Sequence, residues 1–260
     1  MRVSVESVGL VAPGLNGWQA AMHVLRGDAL LEHIALPAFK PELLPVNERR
    51  RTTSLIKLAL MVIEDALAQS HYQMNELATV FASSEGDVEI VDRICTALTL
   101  PDHPVSPTHF HNSVHNAPAG YWAIAAGARH FSTSLAAGTD TFIAGLLEAA
   151  SVSSLEQMPV LFVAYDYPLP PALAGRGYVD AVFATAMIIK PANSNDMNVF
   201  SLSLKSGTVE PPYLVAQLAE LRKQNPAAAA LPLLCVLAGK TTGTLAFPYH
   251  AGLSLHIEVE

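Results

Sequence analysis

The chain has 260 residues, of which 51% are apolar and only 15% are charged, and its formal net charge is −8. This length allows one substantial domain, or two small ones, with a sizeable buried core. The negative charge argues against nucleic acid as the main ligand, because phosphate backbones need a positive field. The low charged fraction predicts either an Ala-rich globular protein or a large apolar face that is buried against a partner.

The two cysteines and the N-terminus bear on the cellular compartment. Cys95 and Cys235 lie far apart and form no C-x-x-C pair, so we predict neither a disulfide framework nor a zinc ribbon. The first ten residues alternate like a strand and lack the features of a signal peptide. The longest near-apolar run, residues 227–239, contains Pro232 and is too short to span a bilayer. We therefore expect a cytoplasmic protein without a membrane span.

Strand and helix patterns alternate through the first hundred residues. A helix that begins at Thr52, Thr53 or Ser54 is predicted because a hydroxyl there caps free helical N–H groups. That helix is apolar on most of its circumference and is therefore expected to be buried. The predicted elements are a strand at 3–8, a Gly/Pro turn at 9–14, a helix at 18–25, a loop at 36–46, the buried helix to about residue 70, a strand at 79–83 and a helix ending near residue 100.

The remainder of the chain continues the mixed order and predicts an α/β fold, a layered mixed sheet with buried helices. We assign residues 1–207 to this domain and residues 208–260 to a C-terminal extension that packs on it. The predicted elements are a His/Asn-rich loop at 106–116, a helix at 117–126, a strand at 131–137, a turn at 138–140 with a helix beyond it, strands at 160–164, 181–189 and 198–205, a helix at 213–223, and strands at 231–238 and 253–259.

Four of the ten histidines lie within thirteen residues, at His103, His109, His111 and His115. The last three would supply three ligands of a zinc site, which needs three or four ligands that converge. No carboxylate or cysteine accompanies them, and loop histidines beside asparagines also hydrogen-bond backbone at packed junctions. We therefore predict no metal, and a metal-binding regulator is the weaker alternative.

The predicted turn at 138–140 has the strand–turn–helix order in which α/β acyl-transfer enzymes present a nucleophile. It offers Thr139 and Asp140, which with a loop histidine would form a Thr–His–Asp set. Threonine is a weak nucleophile without a well-placed base, and sequence spacing does not establish proximity. No G-x-G-x-x-G, P-loop or G-x-S-x-G motif occurs, so we expect no cofactor. A stand-alone acyl transferase or thioesterase stays as an alternative.

Several short motifs occur in one order along residues 1–207. Arg50-Arg51 precedes LALMVIEDAL, TVFASSEG follows, and Ser106-Pro107 and Asn116-x-x-Ala119-Gly120 then lead to the strand at 132–137. The segments VLFVA and AVFATAMIIKP come later. This order resembles the N-terminal half of a β-ketoacyl synthase, the thiolase-like condensing enzyme of fatty-acid and polyketide assembly. The resemblance implies the thiolase/ketosynthase fold.

Two departures from that family bear on catalysis. On the register without gaps, the family's nucleophilic cysteine falls on Thr139, and a shifted register places it on Leu135. Neither is a thiol, and no cysteine occurs between Cys95 and Cys235. The two histidines of the family's second half have no counterpart, since Gly243-Thr244 and His250 are isolated. The resemblance therefore implies a chain that does not condense acyl groups.

The sequence HNSVHN-x-PAGYW is most similar to the chain-length factors of bacterial aryl-polyene pathways. That resemblance implies a heterodimer with a full-length β-ketoacyl-ACP synthase, acting on polyene chains carried by acyl carrier protein. His109 and Phe110 would line and gate the partner's acyl tunnel. The residues expected at the interface are His111, Asn112, His115, Asn116, Tyr121 and Trp122. Arg49, Arg50 and Arg51 are typical of a solvated run before a helix, and contact with an acidic carrier protein is the alternative.

Overall fold

The computed structural model describes residues 1–32, 34–173, 175 and 179–260. Across these residues, nine strands form one sheet. The strands are β1 (Arg2–Ala12), β2 (Leu15–Asn16), β3 (Ala78–Ala82), β4 (Ser132–Leu135), β5 (Val160–Asp166), β6 (Phe183–Pro191), β7 (Val199–Ser206), β8 (Gly243–Tyr249) and β9 (Leu253–Val259). The helices are α1 (Trp18–Leu25), α2 (Val46–Arg49), α3 (Ser54–Leu67), α4 (Val88–Leu98), α5 (Pro107–Asn112), α6 (Ala117–Ala126), α7 (Thr141–Glu156), α8 (Ala216–Gln224) and α9 (Leu231–Gly239).

The sheet is mixed, with the strand order β4-β3-β5-β6-β1-β7-β9-β8, and β2 pairs with the end of β1. Strand β3 lies parallel to both β4 and β5, whereas the other neighbouring strands are antiparallel. The layered mixed α/β fold predicted from the sequence is therefore confirmed. Strands β4 and β8 form the two edges.

Helices cover both faces of the sheet. Along β5 the side chains alternate, so Phe162 packs in one core cluster whereas Leu161 and Val163 pack in another. Helices α1, α7, α8 and α9 contribute to the first cluster, and α3 and α6 contribute to the second. A strand covered on both faces is apolar at every position, which explains the continuous run VLFVA.

Strand β1 extends beyond the end predicted for it at Gly9. It continues to Ala12, so the Gly/Pro turn was placed too early. Glycine is needed at position 9 for space and not for a turn, because a Cβ built there would lie 2.2 Å from the carbonyl oxygen of Val62 in α3. A glycine inside a strand often marks such a close backbone approach, and here it lets α3 pack directly against the sheet.

The segment predicted as a strand at 231–238 is wrong, since it forms helix α9. Apolar side chains occupy almost every position, so the pattern has no period that separates a buried helix from a buried strand. Pro232 lies in the first turn of α9, where proline is tolerated. Strands β8 and β9 follow and join the same sheet beside β7. Within the described parts of the chain, no helix is long and apolar enough to cross a bilayer.

Candidate functional site

The turn after β4 occupies the position where the sequence predicted a lost nucleophile. Gly138–Asp140 forms a short 3₁₀ turn that leads directly into α7. Thr141 Oγ1 accepts a hydrogen bond from the Ala137 amide at 2.9 Å and donates one to the Gly138 carbonyl at 2.7 Å. Thr139 itself is exposed. Thr141 therefore makes the side-chain hydrogen bonds at the start of α7, and Thr139 takes no part in them.

A cavity of about 270 Å³ lies beside this turn. It is lined by Thr139, Asp140, Ile143, Pro211, Pro212, Arg222, Lys223, Pro226, Ala229, Phe247 and Pro248. No histidine occurs among these lining residues, so the described structure does not assemble the Thr–His–Asp set. Leu135, the alternative nucleophile position, lies in β4 and packs against the core.

The loop histidines diverge instead of converging. His109 lines a separate polar cavity with Arg50 and Arg51, and the His111 ring packs edge-on to a tyrosine, with centroids 6.4 Å apart. The His115 Nε2 atom lies 3.0 Å from the Ser83 carbonyl oxygen. Within the described residues, no group of three or more His, Cys, Asp or Glu side chains is arranged to hold a metal ion.

A buried carboxylate ties together the ends of β3 and β5. Asp166 Oδ1 accepts hydrogen bonds from Ser83 Oγ and from the Ser84 amide, both at 2.8 Å. Burial raises the pKa of Asp166 to about 6, although the hydrogen bonds from Ser83 and Ser84 partly oppose it. Because His115 contacts the carbonyl of the same Ser83, Asp166 indirectly supports the chain between α5 and α6.

Residues 106–122, called here the 106–122 segment, contain more helix than the sequence predicted. Its first part forms α5, and the Ser106 hydroxyl caps this helix by accepting from the His109 amide. Ser106-Pro107 is an N-cap followed by a proline at the first helical position, which is a recognised helix-start signal. The prediction of a loop over 106–116 is therefore wrong in this part.

Three of the six residues predicted at the interface are buried inside the chain. Asn112, Tyr121 and Trp122 are each at most 2% exposed. The Asn112 amide donates to the Arg51 carbonyl at 2.7 Å, and its side-chain oxygen accepts from the Tyr121 hydroxyl at 3.1 Å. Burial also raises the pKa of Tyr121. These side chains fasten α5 and α6 to the N-terminus of α3 and do not themselves present contact surface.

The outer side of the same segment is open and apolar. Phe110 is 70% exposed, and His111 and Asn116 are also exposed, whereas His115 is half-buried. Helix α4 packs on α5, and α6 packs on β3 and β4. We call their exposed large hydrophobic residues the apolar surface: Val91, Leu98, Leu100, Phe110, Val114, Ile124 and Phe131.

Strand β4 forms one edge of the sheet. The Phe131 and Leu135 carbonyls accept hydrogen bonds from the amides of Thr79 and Ser83, on the β3 side. In a parallel ladder, residues one position along bond in the opposite direction. The backbone groups of Ser132 and Ser134 therefore point to the free edge, where another strand can pair with them.

The mixed sheet with helices on both faces matches the fold of a ketosynthase-type N-terminal domain. The family model described as "Beta-ketoacyl synthase, N-terminal domain" matches residues 26–245. That match covers most of the chain, so the protein belongs to the β-ketoacyl synthase N-terminal domain family. The match also extends past residue 207, the boundary that we drew from the sequence.

Solved structures with similar folds include several ketosynthase assemblies. One is a ketosynthase (ApeO) in complex with its chain length factor (ApeC) from Xenorhabdus doucetiae, with 22% identity, a TM-score of 0.72 and 99% of each chain covered. The ishigamide ketosynthase/chain length factor gives 13% identity and a TM-score of 0.75, covering 100% of this chain and 99% of that chain. At these identities the similarity shows the fold. A comparison with curated proteins finds no match.

Proposed function

We propose that this chain is a catalytically inactive, chain-length-factor-like subunit that pairs with an active β-ketoacyl-ACP synthase. In this role it shapes the partner's acyl tunnel in aryl-polyene biosynthesis, and the substrate reaches the complex on acyl carrier protein. Membership of the ketosynthase family supports this proposal, as does the similarity in fold to ketosynthase/chain length factor complexes.

The observations that carry the proposal are the free β4 edge and the exposed hydrophobic residues of the apolar surface. Residues 91–131 contain seven of the seventeen large hydrophobic residues that are exposed among the described residues. An open edge with apolar surroundings is a liability for a protein that remains alone. The same features favour a stable partner, because obligate interfaces bury roughly 2,000 Å² or more of mainly apolar surface.

Catalytic inactivity is supported by the chemistry at the turn after β4. Condensation needs a nucleophile to carry the acyl group and donors to stabilise the enolate. The register without gaps puts Thr139 in place of the family's cysteine and the shifted register puts Leu135 there; neither is a thiol, and no histidine lines the cavity beside Thr139. Cys95 lies in α4 and Cys235 in α9, both on elements other than this turn.

The gating role is assigned mainly to Phe110. It lies on α5 with its ring exposed, so it is free to enter a cavity of a partner. His109, which we predicted beside it as part of the gate, faces the polar cavity on the other side of α5. In the proposal Phe110 therefore closes the far end of the tunnel, and His109 supports α5 from behind.

Co-expression with a β-ketoacyl-ACP synthase of an aryl-polyene pathway tests the proposal. We expect the two chains to co-purify at a 1:1 ratio, and we expect polyene synthesis to need both of them. The purified single chain, assayed with acyl thioesters, is expected to show no turnover. A soluble monomer that leaves the ketosynthase equally active without it would refute the proposal. Thioester hydrolysis that is lost in Thr139→Ala would instead support the acyl-transfer alternative.

A further inference from the structure

A second, polar cavity of about 250 Å³ lies between the starts of α3, α4 and α5. Mainly polar and charged side chains line it, whereas the apolar surface consists of exposed hydrophobic residues. The lining residues are Arg50, Arg51, Thr52, Thr53, Ser54, Lys57, Glu89, Ile90, Arg93, Thr108, His109 and Asn112. Four of the fifteen Lys and Arg residues of this acidic chain therefore surround one cavity.

The cations at this cavity are only partly neutralised. Arg93 pairs with Glu89, and Arg51 lies 3.5 Å from Glu48. Among the ion pairs of the described residues, none involves Arg50 or Lys57. Like charges brought together around one space repel each other, and a bound anion relieves that repulsion.

The walls add hydrogen-bond donors to the positive charge. Helix α3 is fourteen residues long, begins at the cavity and has no acidic residue in its first turn. The Thr108 hydroxyl lines the same space, as does that of Thr52, which already donates its hydrogen to the Arg49 carbonyl at 2.8 Å. Buried Asn112, which donates to the Arg51 carbonyl, holds the α3 and α5 sides of the cavity together. The donors are therefore positioned before any ligand binds.

We propose that this cavity binds a phosphate group, either inorganic phosphate or the phosphate of a small monoester. A tetrahedral dianion accepts hydrogen bonds from several directions, which suits donors that come from three helices. Arginine binds such oxyanions with two parallel hydrogen bonds, and lysine binds them as a point charge. The cavity belongs to the single chain and needs no partner to form, so the inference does not depend on the proposed function.

Isothermal titration of the full chain tests this inference, with sodium chloride used to hold ionic strength constant. The probes are inorganic phosphate and glycerol 3-phosphate. We expect saturable binding that weakens at least about tenfold in the double variant Arg50→Ala/Lys57→Ala, because two charge-assisted contacts are lost. Lys205→Ala removes an exposed cation from β7 and serves as the control, with unchanged binding expected.

Tighter binding of glycerol 3-phosphate would identify a monoester ligand, and tighter binding of inorganic phosphate would identify the free ion. The pair Arg50→Gln/Lys57→Gln keeps much of each side-chain stem and repeats the test if the alanine double variant is unstable. Binding that does not saturate, or that is equally strong in the wild type and both double variants, would overturn the assignment.

Discussion

The two edges of the sheet are built in opposite ways. Strand β8 carries Pro248, which has no N–H to offer a further strand, and none of its residues is a large exposed hydrophobic. Strand β4 contains no proline and no charged residue, and Phe131 immediately before it is exposed. Proline is one of the ways in which proteins protect an edge from unwanted pairing. The difference indicates that β8 is closed to further strands and β4 is open to them.

Proline in β4 is the strongest test of this difference. Ser134→Pro removes an N–H that faces the free edge while leaving the bonds to β3 in place. We expect the ketosynthase to be lost in co-purification, with affinity reduced more than about a hundredfold, or about 3 kcal/mol.

The matched control is Ala246→Pro in β8. Ala246 lies two residues before Pro248, so its N–H also faces the free edge. The control is expected to fold and to bind the partner normally. If both variants retain the partner, pairing does not use the β4 edge, and the contrast between the two edges would have no functional meaning.

The free energy of unfolding is also expected to depend on pH, through the buried Asp166 at the end of β5. Its pKa rises from the ordinary 3.8 to about 6 on folding, so protonation favours the folded state. The contribution of this proton to the free energy of unfolding is complete below pH 3.8 and is lost as the pH rises through 6. The shift of about two units corresponds to about 3 kcal/mol. Asp166→Asn is expected to remove this change.

Urea unfolding of the wild type and of Asp166→Asn, measured from pH 4 to pH 7.5, checks this prediction. The wild type should lose free energy of unfolding relative to the variant as the pH rises. Glu210→Gln alters an exposed carboxylate, and its pH profile should follow that of the wild type. Parallel profiles for the wild type and Asp166→Asn would show that Asp166 titrates normally.

Truncation of Phe110, in the apolar surface, is expected to have the smallest energetic effect. Phe110→Ala is expected to leave the complex intact and to lengthen the main polyene product by roughly one two-carbon unit, because removal of a plug enlarges the cavity. His109→Ala should shift it less, since His109 faces away from the apolar surface. Leu155→Ala, which truncates an exposed residue on α7, is the control. An unchanged product in Phe110→Ala, by mass spectrometry, would remove Phe110 from the gate.

The sequence was sufficient where a pattern had only one physical interpretation. The buried helix after Thr53 and the apolar strand VLFVA were predicted within a few residues, because their caps and composition agree. Helix α9 was not, since an unbroken apolar run has no period. The end of β1 was missed because Gly9 was interpreted as a turn, whereas the close approach of α3 requires it.

For the candidate site, the sequence did not predict the direction of each side chain in the 106–122 segment. Histidine and asparagine in succession gave no indication that Asn112 is buried against Arg51 while Phe110 is exposed. Such directions depend on how α5 lies on α3 and α4, and these contacts join residues far apart in the chain. The cluster of cations around Lys57 and Arg93 was missed for the same reason.

The free edge of β4 has a further consequence for the cell that makes this chain. In the proposed complex, each new copy exposes a strand edge and apolar side chains until it pairs, and such surfaces promote aggregation and degradation. Copies made in excess of the partner would be removed by proteases, so the partner's abundance would set the steady-state level of this chain. Balanced synthesis of the two subunits would then be a requirement that the sheet itself imposes.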